Sequence, residues 1–248
     1  MQVNAVVAQW IGTRENQEDD YAVRHYPSGT LTVVCDGMGG HSYGAMASRV
    51  AAQAFVEHFE ADEGMPITER LEEALYYANA QVGQAFEEAG AFGGTTLLAV
   101  FVGGGVIWWV SVGDSPLYLW RQGRLLRLNA DHSLREVYME YVREGCMNFA
   151  DAVMRGHALR SAITGAEIEM VDVSATPYPL IPGDRVMLTT DGTDDLLYVQ
   201  ALSDSVKKLL NDREKNLAVS VVEACQELGM PNADNVTVVA LDWNGFHA

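Results

Sequence analysis

The chain has 248 residues, and 34 Asp+Glu against 16 Lys+Arg give it a net charge of −18. That balance excludes non-specific binding to nucleic-acid phosphates and to an anionic membrane surface, both of which need clustered Lys and Arg. With 48% hydrophobic and 20% charged residues, wholesale disorder is excluded too, and a sizeable core can be buried.

The first thirteen residues carry neither a charged side chain nor a sustained apolar core, so no targeting segment is expected there. Val3–Ile11 reads as a strand, and a polar turn follows through Glu15 and Asn16. A second strand ends in the run LTVVCDGMGG at 31–40, where Gly37, Gly39 and Gly40 stop it. Ala45, Met46, Val50, Ala54 and Phe55 recur at helical spacing and predict a helix over Ser42–Glu60. A second helix is expected from just after Pro66 to about Glu88.

Ala89–Gly113 contains no charged residue and has the length of a membrane span. Its many glycines and the absence of closely flanking Lys or Arg argue instead for two apolar strands, Thr95–Val102 and Val106–Val112, joined at a Gly triplet. Leu117–Arg121 and Arg124–Leu128 continue the pattern around Gln122-Gly123. Residues 131–165 are polar and mixed, and read as an insertion over the sheet. Strands resume at Ile168–Val173 and Arg185–Thr190. Helices are expected over Gln200–Leu210 and Arg213–Leu228, with Gly229 as the stop, and Val236–Asp242 closes the chain as a strand. Cys35, Cys146 and Cys225 are odd in number and widely spaced, which fits neither a disulfide framework nor a CxxC zinc site and points to a reducing compartment. Hairpins dominate over βα alternation, so a mixed sandwich of largely antiparallel sheets is expected.

The acidic residues fall at informative places. Asp36, Asp114 and Asp191 each end an apolar strand or its terminal Gly, and Asp234 directly precedes one. Each alone could do no more than cap a turn. Together they imply convergence on one rim of a sheet. Like charges there repel, so cations must neutralise them, and oxygen ligands in that number suit Mg²⁺ or Mn²⁺. The run Arg14-Glu15-Asn16-Gln17-Glu18-Asp19-Asp20 joins one Arg to several carboxylates. It is either a solvated turn or a phosphate contact made by the Arg fork.

In order, RENQED at 14–19, DGMGG at 36–40, GGTT at 93–96, VGDS at 112–115, DHSL at 131–134, TTDGTDD at 189–195 and DNVTVV at 234–239 resemble the motifs of the metal-dependent, protein phosphatase 2C-like (PPM) family, in its bacterial form. The resemblance spans about residues 10–242. It implies an α+β fold: a four-layer α-β-β-α sandwich of two mainly antiparallel sheets flanked by helix pairs. One phosphatase domain would occupy residues 1–248, with a flap-like insertion at about 140–165. It further implies two tightly bound Mn²⁺ or Mg²⁺ ions, with Asp36 bridging them. Asp191 and Asp234 would complete one ion's protein ligands, and Glu18 and the Gly37 carbonyl would hold the other. Asp114 and Asp195 would hold a third ion with Asp191. Arg14 would grip the substrate phosphate and Asp19 would orient water. By this resemblance the chain hydrolyses phosphoserine or phosphothreonine in proteins through a hydroxide shared by the two metals.

Met38 stands where many relatives carry a His proposed as general acid, and Pro116 stands where they commonly carry Arg. His132 and His157 are read as surface or capping residues. A cytoplasmic monomer opposing a Ser/Thr kinase is the expectation, with no nucleic-acid or membrane partner. The alternatives are a catalytically weak phosphoprotein-binding module of the same fold and a regulator phosphatase acting on an anti-sigma antagonist.

Overall fold

A computed structural model describes residues 3–39, 43–200 and 203–245. Strands β1 (Ala5–Trp10), β2 (Asp19–Tyr26) and β3 (Gly29–Met38) open the chain, and helices α1 (Tyr43–Ala61) and α2 (Ile67–Ala89) follow. Next come β4 (Gly94–Thr95), β5 (Leu97–Gly103), β6 (Val106–Val112), β7 (Leu117–Arg121) and β8 (Arg124–Arg127). Helices α3 (Arg135–Arg143) and α4 (Phe149–Gly156) form the insertion, and β9 (Asp172–Val173), β10 (Tyr178–Pro179) and β11 (Asp184–Thr189) return to the sheets. A 3-10 turn at Asp191–Thr193 and a π-helical turn at Asp195–Val199 lead to α5 (Asp204–Asn211), α6 (Leu217–Leu228) and β12 (Val236–Trp243).

One sheet has the order β1-β12-β11-β7-β8. The other runs β10-β6-β5-β3-β2, with β4 paired to β3 and β9 to β6. Every strand pairing is antiparallel. The side-chain period of two sorts the apolar runs into layers. Val34, Leu98, Val100, Val186, Leu188, Val239 and Leu241 point between the sheets. Their neighbours Val33, Cys35, Leu97, Ala99 and Phe101 point to α1 and α2 instead. Met187, Val238 and Ala240 face the α6 side. The layers are therefore helix pair, sheet, sheet, helix pair, as the family resemblance implied. Strands buried on both faces read as unbroken apolar runs, which explains the uncharged stretch 89–113. Among the described residues no helix is long and apolar enough to cross a membrane.

Three expectations change. The acidic and polar segment before β3 is itself a strand, β2, and pairs along its whole length with β3. The strand expected at Ile168–Val173 is ordered as a strand only at Asp172–Val173, because the Met170 backbone bonds the Ser161 hydroxyl instead of a neighbouring strand. The last helix starts at Leu217 rather than Arg213: the Asn216 side chain accepts from Val219 N–H and caps it. Ser42 of the first helix, and Ala201 and Leu202 of the helix expected over 200–210, lie outside the described residues.

Candidate metal centre

The sheets bring the motif carboxylates to one end of the sandwich. Asp36 ends β3, and its main chain is pinned twice. Its N–H donates to Thr96 Oγ1 at 2.9 Å, and its carbonyl accepts from Thr95 Oγ1 at 3.0 Å and Thr96 N–H at 2.9 Å. Thr96 Oγ1 also meets Ser115 Oγ at 2.7 Å, which ties the loop of Asp114 to the same strand end. The GGTT and VGDS motifs thus hold two aspartates in register.

Gly37 sits where backbones cross. A Cβ there would lie 2.3 Å from the Gly44 carbonyl and 2.5 Å from that of Glu18, so only glycine fits and the Glu18 loop closes onto Asp36. Asn235 fastens the other side of that loop. Its Nδ2 donates to the carbonyls of Ile11 (2.8 Å) and Asn16 (3.0 Å), and its Oδ1 accepts from Glu18 N–H at 2.7 Å. Asn235→Ala removes three hydrogen bonds to the backbone of this loop and is expected to destabilise the fold by about 2–3 kcal/mol. A urea melt of the variant checks this, and its Mn²⁺ affinity is expected to drop with the loop's order.

Asp36, Asp114, Asp191 and Asp234 line one cavity of about 390 Å³, together with Arg14, Glu18, Gly37, Met38 and His157. Their electrostatics are those of crowded like charges. Burial pushes the Asp36 carboxyl well up, and Asp19, Asp191, Asp114 and Asp234 push it further. Asp114 is raised to about 7 by burial and by the charges of Asp191, Asp131 and Asp194, against the pull of Arg135. Burial and Asp191 raise Asp234, although Arg14 Nη2 bonds its Oδ2 at 2.6 Å. Asp191 goes the other way: its burial is outweighed by His157, by a hydrogen bond with Asp36 and by Arg135. Asp19, opposite Asp36 in the β2–β3 ladder, accepts from Thr190 Oγ1 (2.9 Å) and Thr237 Oγ1 (2.7 Å), and burial lifts it to about 7. Crowded carboxylates, most of them pushed up by burial and by one another, with Arg14 as the Arg on the cavity wall, fit hard divalent cations, Mg²⁺ or Mn²⁺.

The sequence-derived residues Arg14, Glu18, Asp36, Gly37, Asp114, Asp191 and Asp234 all reach this cavity, and Asp19 packs behind it. Asp195 does not line it. Its carboxylate is exposed and borders a neighbouring groove. The close group is instead Asp114, His157 and Asp191, whose ligand atoms all lie within 4.8 Å of one another. His157, read from sequence as a bland capping residue, does follow the last turn of α4, but its Nδ1 stands 3.5 Å from Asp191 Oδ2. His132 is not at the surface: it is buried, and its Nδ1 accepts from Gly113 N–H at 3.3 Å, which supports the loop of Asp114. Asp131 of the same motif is held low chiefly by Arg127 and Ser133 against its burial, and serves as a structural anchor. Sequence reasoning missed the ion pair of buried Arg135 with Asp194, which ties α3 to the turn that carries Asp191.

A family model described as Protein phosphatase 2C matches residues 9–223. The chain belongs to the protein phosphatase 2C family. It is 30% identical over 236 residues to the serine/threonine protein phosphatase PstP of Mycobacterium tuberculosis, a match that covers 92% of this chain and 42% of that protein. It thus spans less than half the length of that relative. The serine/threonine phosphatase stp of Listeria welshimeri is 27% identical, with 93% of this chain and 92% of that protein covered. Among solved structures, the catalytic domain of PstP in complex with two manganese ions superposes with a TM-score of 0.74 at 27% identity, covering 97% of each chain.

Proposed function

We infer that this protein is a metal-dependent phosphatase that hydrolyses phosphoserine and phosphothreonine in other proteins. The observation that carries this reading is the convergence of Asp36, Asp114, Asp191 and Asp234 on one cavity in a chain of this family. In this reading Asp36, Asp191 and Asp234 hold one divalent ion, and Asp36, Glu18 and Gly37 hold a second. Asp114 and Asp191 hold a third, and His157 takes the place expected of Asp195. The ions supply Lewis-acid charge for the phosphoryl oxygens and lower the pKa of water.

The chain's own groups do the rest. Arg14 binds the phosphate through its planar fork, and its exposed pairing with Asp234 is weak enough for a phosphate to displace. Asp19, fixed by two threonine hydroxyls and poised near neutrality, orients water at the cavity floor. Met38 lines the cavity and has no proton to give a seryl leaving group; the hydrogen bond to Asp191 raises the His157 pKa in the metal-free fold, and that proton would leave as His157 binds an ion. The partners are phosphorylated proteins and, upstream of them, a kinase that places phosphate on Ser or Thr.

Release of phosphate from a phosphothreonine peptide, with Mn²⁺ and with chelator, tests the reading. Turnover only with Mn²⁺ supports it, and binding of the peptide without turnover would favour a binding module. Arg14→Ala is expected to raise KM about tenfold or more, the scale of a charge-assisted hydrogen bond, with kcat and Mn²⁺ affinity much less affected. Arg14→Lys recovers little of this, because a point charge does not replace a fork. A large loss of Mn²⁺ affinity in Arg14→Ala would make the residue a support for Asp234 instead.

A further inference from the structure

A second cavity of about 350 Å³ lies against the metal centre. Arg14, His157, Asp191 and Asp234 line both, so these side chains form the wall between them. The far side of the groove has a different chemistry. Trp10 of β1, Val153 of α4, Tyr198 and Val199 of the π-helical turn, Leu228 at the end of α6 and Met230 beyond it make it apolar and aromatic. Val199 is 46% and Met230 41% exposed, so apolar surface stands open at the mouth. Asp195 is exposed beside them, with no ion-pair partner among the described residues.

Phosphate hydrolysis alone needs none of this surface. A phosphorylated residue, however, arrives within a chain. With its phosphate at Arg14 and the carboxylates, the next one or two residues reach about 4–7 Å further along the backbone. That is far enough to carry a side chain over a wall one residue thick. The groove shares that wall with the catalytic cavity, its size lies in the range of built ligand pockets, and its free charge is negative.

We propose that this groove is a specificity subsite, which takes a large apolar side chain flanking the phosphoserine or phosphothreonine, with a neighbouring Lys or Arg of the substrate facing Asp195. The proposal rests on the phosphatase reading above. It assigns substrate selection to Val153, Tyr198, Val199 and Met230, none of which belongs to the metal centre. The net charge of −18 acts in the same direction, drawing basic segments toward the cleft.

The test is a set of phosphothreonine peptides in which a single Leu moves through the three positions on either side of the phosphoresidue, against an Ala-only peptide. Para-nitrophenyl phosphate, which has no flanking chain, is the control. One position on one side is expected to raise kcat/KM about tenfold over Ala, the scale of burying most of a Leu side chain. In a second set, a Lys placed next to that Leu raises kcat/KM further, and a Glu placed there lowers it. Val199→Asn and Met230→Asn, both at exposed positions, remove most of the Leu gain. They leave para-nitrophenyl phosphate and the Ala peptide within about twofold of wild type. Hydrolysis of the Ala peptide with no Leu gain at any position, or a gain unchanged in both variants, would overturn the subsite alone. No turnover of any phosphopeptide with Mn²⁺ would overturn the phosphatase reading and the subsite with it.

Discussion

Asp36→Asn is expected to slow hydrolysis of a phosphothreonine peptide at least about a hundredfold, the scale of losing a principal electrostatic stabiliser. The fold should survive, because Thr95 and Thr96 hold its main-chain N–H and carbonyl, and an Asn side chain can still hydrogen-bond Asp191. The metal-free variant has a further signature. Asp19, Asp191, Asp114 and Asp234 all oppose ionisation of Asp36. Removing that charge relieves repulsion, so without metal the variant is expected to melt no lower than the wild type. With Mn²⁺ it should gain far less than the wild type does. A rate and a Mn²⁺-dependent rise in Tm both equal to wild type would take Asp36 out of the centre. A lower metal-free Tm would make the residue structural instead.

This expected pattern, destabilising alone and needed with a cation, is why the carboxylates were legible in the sequence. An Asp beside Gly at the end of an apolar strand has few structural reasons to be there, and the strand ends themselves were readable because β3, β5, β11 and β12 are buried on both faces. β2 was not readable. Its sequence DDYAVRHY alternates weakly and is half exposed, and its strand character comes from pairing with β3 rather than from any local apolar run. The same limit applies to His157. It belongs to an insertion whose position over the sheet no local pattern fixes. That position depends on a close crossing at Gly156, where a Cβ would come within 3.1 Å of the Arg135 Cα, and on the Arg135–Asp194 pair. Nothing in GHAL at 156–159 announces either. Asp195 is the converse case. It is next in sequence to buried Asp194, yet only Asp194 is held by Arg135, while Asp195 is exposed at the outer groove.

Metal removal should have the broadest effect. Chelation is expected to abolish phosphopeptide hydrolysis and to lower Tm. Restoring Mn²⁺ at about a hundred times its Kd contributes about 2.7 kcal/mol per site, which for a chain of this size raises Tm by about 5–10 °C. The size of that rise should depend on pH, with a sign the carboxylates fix. Asp19 and Asp114 are raised to about 7 in the metal-free fold, and Asp36 is raised well above its ordinary value. A carboxyl raised on folding favours the folded state fully at pH below its ordinary value, and that contribution is lost as pH rises through the folded value. The chelated protein should therefore lose Tm between about pH 5 and pH 8. Cations bind the ionised forms and compete with those protons, so the Mn²⁺-loaded protein should lose less over the same range. The gap between the loaded and chelated melting curves is thus expected to widen as pH rises through 7, and groups remote from the cavity cancel in that difference. Differential scanning fluorimetry across that range, with and without Mn²⁺, reads it directly. A gap that stays constant or narrows with rising pH, or full turnover in chelator, would refute a carboxylate-held metal centre in this cavity.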